Sequence, residues 1–216
     1  MRMRPKKNRV PRLEAVSGYF ASVDDNGMID IEKTFADKKE RLLLELGCGK
    51  GTFAATLSKR ETDANIIAVE RVPDVILMAM EKASKEECAN LRFASFDITD
   101  ILEKVPEHSA DAIYINFCDP WPRKKNAKRR LTSPLFLERY KKILKDGACI
   151  YFKTDNIGLF EYSLETFPSC GYKLKNVCFD LHSDVLNENN IVTEYEKNFS
   201  EKGFKINYLE AFLQET

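Results

Sequence analysis

Residues 42–51 read Leu-Leu-Leu-Glu-Leu-Gly-Cys-Gly-Lys-Gly, an apolar run followed by three glycines at alternate positions. A short apolar run of this kind is typical of a strand that is buried on both faces of a sheet. Closely spaced glycines let the chain turn tightly between a strand and a helix, because they lack a Cβ atom. The stretch therefore predicts a strand at Leu42–Leu46, a glycine turn, and a helix at Thr52–Lys59.

Outward from this stretch, strand and helix patterns alternate along the chain. Further strands are predicted at Ile66–Val69, Leu91–Ala94, Ala110–Ile115 and Cys149–Lys153, and further helices at Pro73–Lys85, Pro134–Lys145 and Leu159–Phe167. This alternation predicts an α/β fold with a doubly wound, mostly parallel sheet of the Rossmann-like kind. Two extended segments, Lys173–Asp180 and Phe204–Phe212, flank a polar stretch over residues 183–202. They predict antiparallel strands at the C-terminal edge.

Length and composition indicate one folded domain with a short basic extension. The chain has 216 residues, of which 44% are hydrophobic and 31% charged, as in ordinary globular proteins. Residues 1–12 lack hydrophobic periodicity and are predicted to form a flexible basic N-terminal arm, with residues 13–216 as a single domain. No apolar run approaches the ~20 residues that span a bilayer. No signal-peptide pattern follows the N-terminus, so we expect no membrane partner and a cytoplasmic location.

Cysteine and histidine usage argues against a metal site. The six cysteines are scattered without a C-x-x-C pair, and the chain has only two histidines. Structural zinc sites need closely spaced ligands, and disulfide scaffolds need a denser set of cysteines. We therefore expect no bound metal and reduced thiols.

The formal net charge of zero conceals two strongly basic segments. One occupies the first dozen residues, and the other follows the fourth predicted strand and comprises Arg123, Lys124, Lys125, Lys128, Arg129 and Arg130. Charge concentrated in this way favours local contact with a polyanion. A mobile tail and a solvated loop are the structural alternatives, and for the arm both interpretations stay open.

The pattern of the glycine turn argues against two common classes of nucleotide-binding site. A dinucleotide fingerprint needs a glycine at the position where this chain has Thr52. The phosphate-binding pattern G-x-x-x-x-G-K-[ST] is absent as well. Three glycines at Gly47, Gly49 and Gly51 suit a ligand that approaches the main chain, and a purely structural turn is the alternative.

Acidic residues accompany the successive predicted strands. They are Glu45 in the first strand, Glu70 at the end of the second, Asp97 after the third and Asp119 after the fourth. Ligands of such sheets bind beyond the carboxyl ends of the strands, so we expect these carboxylates on one rim. An acidic rim repels a pyrophosphate but suits a nucleoside that carries a sulfonium and an ammonium group. The pattern favours S-adenosylmethionine over NAD, with helix capping as the alternative for each acid alone.

The turn Asp119-Pro120-Trp121-Pro122 joins the last of these acids to the second basic segment. We interpret it as placing a carboxylate and an aromatic stacking surface beside the cofactor. The cations that follow are suited to phosphates, and an aromatic ring is suited to a splayed base. The alternative is a Trp121 packed in the core next to a solvated basic helix start.

Four stretches together resemble the bacterial tRNA (guanine-N7-)-methyltransferases, which belong to the class I S-adenosylmethionine-dependent superfamily. They are Glu45–Gly51, Asn116–Leu131, Phe152–Asn156 and Thr193–Glu196. The Asp-Pro-Trp-Pro turn with its basic run is the most specific of them, and the resemblance extends over nearly the whole chain. The family usually has lysine where Arg123 stands, and an arginine–histidine pair where Lys125-Asn126 stands.

The resemblance implies roles for individual residues. With the loop glycines Gly47, Gly49 and Gly51, the implied cofactor-binding residues are Glu45, Glu70, Asp97 and Asp119, of which Asp119 is also catalytic. The implied substrate-binding residues are Arg123, Asp155, Thr193, Glu194, Tyr195 and Glu196. The implied RNA-binding residues are Lys125, Lys128, Arg129 and Arg130.

The function implied by the resemblance is an enzyme that transfers a methyl group from S-adenosylmethionine to N7 of a guanine in the variable loop of tRNA. Guanine N7 carries a lone pair and no proton, so the reaction needs positioning and electrostatics but no general base. One alternative is an amino-group methyltransferase for adenine or glutamine, whose turn reads Asn/Asp-Pro-Pro-aromatic. Another is a non-catalytic RNA-binding subunit that keeps the fold. Both a monomer and a homodimer are compatible with the sequence.

Overall fold

The computed structural model describes residues 8–213, which fall into two compact units. Unit 1 contains the residues up to Pro106, and unit 2 contains those from Glu107 onward. The predicted arm over residues 1–12 lies mainly outside the described residues, and its last part enters a helix that begins at Arg9. The arm and the single domain over residues 13–216 stay predictions. Within residues 8–213 no helix is long and apolar enough to cross a membrane.

Unit 1 is built on a three-stranded parallel sheet. Its elements are α1 (Arg9–Ala15), α2 (Ile31–Thr34), β1 (Arg41–Leu46), α3 (Thr52–Arg60), β2 (Ala64–Val69), α4 (Pro73–Lys85), β3 (Leu91–Ala94) and α5 (Ile101–Lys104). The strands lie in the order β3-β2-β1. Val69 is paired with Leu46 on one side and with Ala94 on the other. The three strands therefore end at one level, and the residues that follow them share one edge.

The apolar runs of unit 1 are explained by burial on both faces of the sheet. All of β2 is buried, and so is β1 apart from Arg41, the pattern expected of covered parallel strands. The prediction of α4 is confirmed at both ends. Pro73 occupies its first turn, where a missing backbone N–H leaves no helical hydrogen bond unmade.

Unit 2 combines parallel and antiparallel strand pairs. Its elements are β4 (Ala110–Asn116), α6 (Pro134–Ile143), β5 (Leu144–Thr154), α7 (Ile157–Ser169), β6 (Tyr172–Cys178), α8 (Glu194–Ser200) and β7 (Asn207–Leu213). The strands lie in the order β4-β5-β7-β6. β4 and β5 are parallel, whereas β7 runs antiparallel to both β5 and β6. The predicted α/β class, mostly parallel with antiparallel strands towards the C-terminus, is confirmed.

The prediction that the helix from Pro134 continues to Lys145 is wrong at its C-terminal end. α6 stops at Ile143, and Leu144 already belongs to β5. Leu144 is paired with Ala110 of β4 and is buried, so burial in the sheet outweighs the local helical pattern. The turn residue Gly147, at φ +73°, consequently lies inside the strand and not before it.

The polar stretch over residues 183–202 contains helix α8, which was not predicted. Thr193 caps the helix, because its Oγ accepts a hydrogen bond from the backbone N–H of Glu196 at 2.9 Å. In return the Glu196 carboxylate accepts from the backbone N–H of Thr193, which completes a capping box. The Thr-x-x-Glu spacing is a known sequence signal for such a helix start. It would have located α8 even without apolar periodicity.

Candidate active site

The glycine loop of unit 1 leaves its main chain open at two of three glycines. Gly47, Gly49 and Gly51 all have positive φ angles, of 84°, 55° and 77°. A Cβ atom added to Gly47 or Gly49 would meet nothing within 4 Å, whereas one on Gly51 would lie 2.8 Å from the Cβ of Ala79 in α4. Gly51 is therefore required by the packing of α4, and the first two glycines expose backbone that a ligand can approach.

Hydrogen bonds hold this loop against the end of β2. The backbone N–H groups of Gly47 and Cys48 both donate to the carbonyl of Val69 at 2.9 Å. The N–H of Gly49 donates to Oε2 of Glu70 at 3.2 Å, and Oε1 of Glu70 accepts from the N–H of Val72 at 2.8 Å. The predicted cofactor residue Glu70 is thus fixed directly beside the glycine loop.

Glu45 also lies close to the loop. It is 2% exposed within β1, which is unusual for a carboxylate. Burial raises the pKa of the Cys48 thiol well above its usual value, and the negative charges of Glu45 and Glu70 raise this pKa further. Both carboxylates are therefore near Cys48, as expected if they border one binding site.

Asp97 follows β3, and its side chain is far more exposed than that of Glu45. It accepts hydrogen bonds from the backbone N–H and hydroxyl of Thr99 at 3.0 and 2.9 Å. Arg71 donates to it at 3.1 Å. The bonds from Thr99, and then those from Arg71, lower the pKa of Asp97. Asp97 thus caps a short 3₁₀ helix, as the structural alternative expected, while remaining accessible to a ligand.

In unit 2 the Asp-Pro-Trp-Pro turn is held by Arg130. Trp121 has a φ of +42°, a region that a residue with a side chain rarely adopts. Nε of Arg130 donates to the carbonyl of Pro120 at 3.0 Å, and Nη2 donates to that of Trp121 at 3.2 Å. The same guanidinium stacks on Tyr162, 4.3 Å from the ring centre. Arg130 therefore stabilises the turn that carries Asp119.

Trp121 lies under a second arginine. It is partly exposed, and the guanidinium of Arg129 lies 3.9 Å from its ring centre. The alternative of a Trp121 packed in the core is therefore not what the structure shows. Residues 124–129 form a 3₁₀ helix, on which Lys125 and Lys128 are exposed, as is the preceding Arg123.

Tyr195 lies near both Asp119 and Asp155 in unit 2. The pKa of Tyr195 is raised by burial first, and then by the charges of Asp155 and Asp119. Its ring lies between Phe117 and Phe199, with ring centres 5.0 and 4.1 Å away. These ring contacts fix the position of Tyr195 in unit 2.

The remaining predicted substrate residues differ in accessibility. Glu194 is exposed, but Thr193 and Glu196 are buried in the capping box. Burial of Glu196 is the largest single influence and opposes ionisation. The charge of Lys153 and the hydrogen bonds from the side chains of Lys153, His182 and Asn190 together outweigh it and lower the pKa. The sequence interpretation missed Lys153, His182 and Asn190, since no local pattern links them to α8. The structure thus groups Glu45, Glu70 and the glycines in unit 1, and Asp119, Asp155 and Tyr195 in unit 2.

No group of three or more His, Cys, Asp or Glu side chains suited to a metal ion is found among residues 8–213.

Solved structures with this fold include a SAM dependent methyltransferase from Aquifex aeolicus. It superimposes with a TM-score of 0.58 at 15% identity and covers 97% of this chain and 100% of its own. At that identity the likeness concerns the fold alone.

Proteins related in sequence identify the family of this chain. The model of a family described as putative methyltransferase matches residues 39–209. The tRNA (guanine-N(7)-)-methyltransferase of Halalkalibacterium halodurans is 45% identical over 79% of this chain and 77% of its own length. The enzyme of the same name from Clostridium novyi is 38% identical over 99% of this chain and 100% of its own length. Because relatives of this name are 38–45% identical and one of them is matched over nearly the whole chain, the protein belongs to the tRNA (guanine-N(7)-)-methyltransferase family.

Proposed function

We propose that this chain transfers a methyl group from S-adenosylmethionine to N7 of a guanine in tRNA, in the variable loop. The observation that carries the proposal is a polar cluster in which Asp119 directly precedes a loop of exposed cations. Tyr195 packs on Phe117, two residues before Asp119, and Asp155 is near Tyr195. The cluster is suited to a purine with several hydrogen-bonding groups, and the cations are suited to a phosphate backbone. The names of the relatives select guanine N7 and tRNA. Since its substrate is tRNA, we infer a cytoplasmic location.

The glycine loop fits the cofactor. Gly47 and Gly49 leave open space above the main chain, and Glu70 is fixed at the loop where ribose hydroxyls would donate to it. Glu45 and Asp97 add negative charge, which favours the cationic groups of S-adenosylmethionine. When bound, the cofactor supplies a methyl group on a positively charged sulfur.

The chain's own contribution to the reaction is orientation of the base. Because N7 has a lone pair and no proton, no side chain needs to remove a proton before transfer. Carboxylates at Asp119 and Asp155 are suited to accept from N1–H and the 2-amino group of guanine, a pattern that adenine lacks. A carboxylate at Asp119 also stabilises the positive charge that develops on the methylated base. Tyr195 orients the base from beside both acids.

The basic loop divides into cations that grip RNA and cations that hold the site. Arg123, Lys125 and Lys128 are exposed and suited to phosphates. Arg130 is engaged with the turn backbone, so we assign it to positioning, with any phosphate contact secondary. Arg129 stacks on Trp121, so we assign it to both groups, the cations that bind RNA and those that hold the site.

The test of the function uses labelled cofactor and unmodified tRNA. After incubation, borohydride–aniline treatment cleaves the RNA at 7-methylguanine, and we expect incorporated label together with cleavage at one position. Label without cleavage would refute transfer to N7 and would return the amino-group alternative. If calorimetry detected no binding of the cofactor and no label entered the RNA, the chain would instead be a non-catalytic RNA-binding subunit.

A further inference from the structure

A buried ion pair lies directly beneath the start of α8. Lys153 of β5 and Glu196 of α8 have side chains that are 5% and 0% exposed, and Nζ lies 2.7 Å from Oε2. Moving two such charges out of water is expensive, and an apolar pair in the same place is often as stable. Stability alone therefore does not account for a buried ion pair at this place.

The pair is the centre of a polar network that spans distant parts of unit 2. Nζ of Lys153 also donates to Oδ1 of Asn190 at 2.9 Å and to the carbonyl of Ile191 at 2.8 Å. Oε1 of Glu196 accepts from Nδ2 of Asn190 at 2.6 Å and lies 2.8 Å from Nε2 of His182. A single ammonium on β5 thus holds both the segment before α8 and the first turn of α8.

The network includes Glu196, the residue that directly follows Tyr195. Tyr195 stands in the first turn of α8, is 42% exposed, and has its ring centre 5.0 Å from that of Phe117, two residues before Asp119. α8 has seven residues, and an isolated helix of that length is not stable in water. The position of its first turn therefore depends on contacts such as those made by Glu196.

We propose that Lys153 is a positioning residue of the substrate site. Its ammonium, acting through Glu196, fixes the start of α8 and so sets Tyr195 against the two acids that hold the guanine base. In this role Glu196 does not touch the substrate, in contrast to the role implied by the family resemblance. The inference rests on the proposed function, because it names what orients the base-binding side chains.

Three variants and one control test the proposal in the full chain. Lys153→Met removes the ammonium, Glu196→Gln keeps the shape of the side chain without its charge, and Lys153→Arg restores a cation. The control is Lys145→Met, which removes an ion pair of the same 2.7 Å length, with Asp111, from the same strand β5. The readouts are hydrogen exchange of the α8 amides, the Kd of S-adenosylmethionine, and kcat and KM with tRNA.

We expect Lys153→Met and Glu196→Gln to speed exchange over residues 194–200 and to lower kcat/KM for tRNA by about 10- to 100-fold, as small misplacements of a substrate do. The Kd of the cofactor should stay unchanged, because its predicted ligands other than Asp119 lie in unit 1. Lys153→Arg should recover at least part of both losses, and Lys145→Met should show neither.

Two results would overturn the inference. A fall in kcat/KM with unaltered α8 exchange in Glu196→Gln would mean that Glu196 contacts the substrate directly. Unaltered exchange and kinetics in that variant would mean that the ion pair has no part in the site. Glu196→Gln decides the matter even where Lys153→Met fails to fold. Hydrogen exchange does not depend on catalysis. If the wild-type chain had no methyltransferase activity, the proposed function would fail, but the exchange of the α8 amides would still show whether Lys153 and Glu196 fix the start of α8.

Discussion

The glycine loop of unit 1 and the α8 region of unit 2 are constructed in different ways. The loop is one continuous stretch whose geometry comes from backbone hydrogen bonds and from three glycines with positive φ. The α8 region is assembled from side chains that are far apart in sequence, with Lys153 on β5, Asn190 before the helix and Glu196 within it. A site formed by one continuous stretch can be recognised as a sequence motif, whereas a site assembled from dispersed side chains cannot.

The contrast predicts that the glycine loop is most sensitive to added volume. In Gly51→Ala the new Cβ would meet Ala79 at 2.8 Å in addition to the strain of a φ of +77°. We expect a loss of about 2–5 kcal/mol in the free energy of unfolding, from overpacking and from left-handed geometry. The measurement is urea unfolding.

Gly147→Ala is the matched control for that change. Gly147 has a similar φ of +73°, but nothing lies within 4 Å of its added Cβ. It should cost only about 1–2 kcal/mol. Equal losses in the two variants would show that packing against α4 does not set the need for glycine at position 51.

The substrate site of unit 2, to which α8 contributes Tyr195, should instead be most sensitive to the charge of Asp119. We expect Asp119→Asn to lower kcat by about 10²–10³-fold, the usual effect of removing one electrostatic contact to a developing charge. The fold should be retained, since the change is nearly isosteric. Asp146→Asn, at an exposed position of β5, is the control and should leave kcat unaltered. Near-normal turnover of Asp119→Asn with both substrates bound would contradict the catalytic assignment.

A smaller effect is expected on the pH dependence of stability. The pKa of Glu196 is lowered from its ordinary 4.5 in the folded chain. Its ionised form therefore adds stability at pH values above 4.5, and this contribution is lost as the pH falls through the lowered pKa. Glu196→Gln should cost about 1.5–3 kcal/mol near neutral pH, as loss of charged hydrogen bonds does. The thermal stabilities of the two chains should approach each other as the pH falls from 4.5 through the lowered pKa, and a constant gap down to pH 2 would disprove the linkage.

The smallest effect is expected from single cations of the basic loop. Lys125→Ala and Lys128→Ala should each weaken tRNA binding a few-fold and reduce the salt slope of the binding constant by about one. Lys142→Ala, an exposed cation on α6, is the control. Filter binding over a range of salt concentrations measures both quantities. If neither Lys125→Ala nor Lys128→Ala changed the salt slope of tRNA binding, the basic loop would be a solvated surface that does not contact RNA.

Much of the fold was predictable because its signals are local. Apolar runs located β1, β2 and β3, and a proline in the first turn located α4, each within one or two residues. The helix from Pro134 was predicted two residues too long, because pairing of Leu144 with Ala110 depends on a strand more than thirty positions away. α8 was missed because its stability comes from tertiary contacts of Glu196, although its capping box was legible.

The amino-acid order alone was enough for the α/β class, the glycine loop, the acids beside it and the family, because each depends on residues that are neighbours in the chain. It could not reveal that Arg130 holds the turn, that Tyr195 lies near both Asp119 and Asp155, or that Glu196 is buried against Lys153. Those facts arise when packing brings side chains from distant parts of the sequence close together. Their energies depend on burial and geometry that no local pattern encodes.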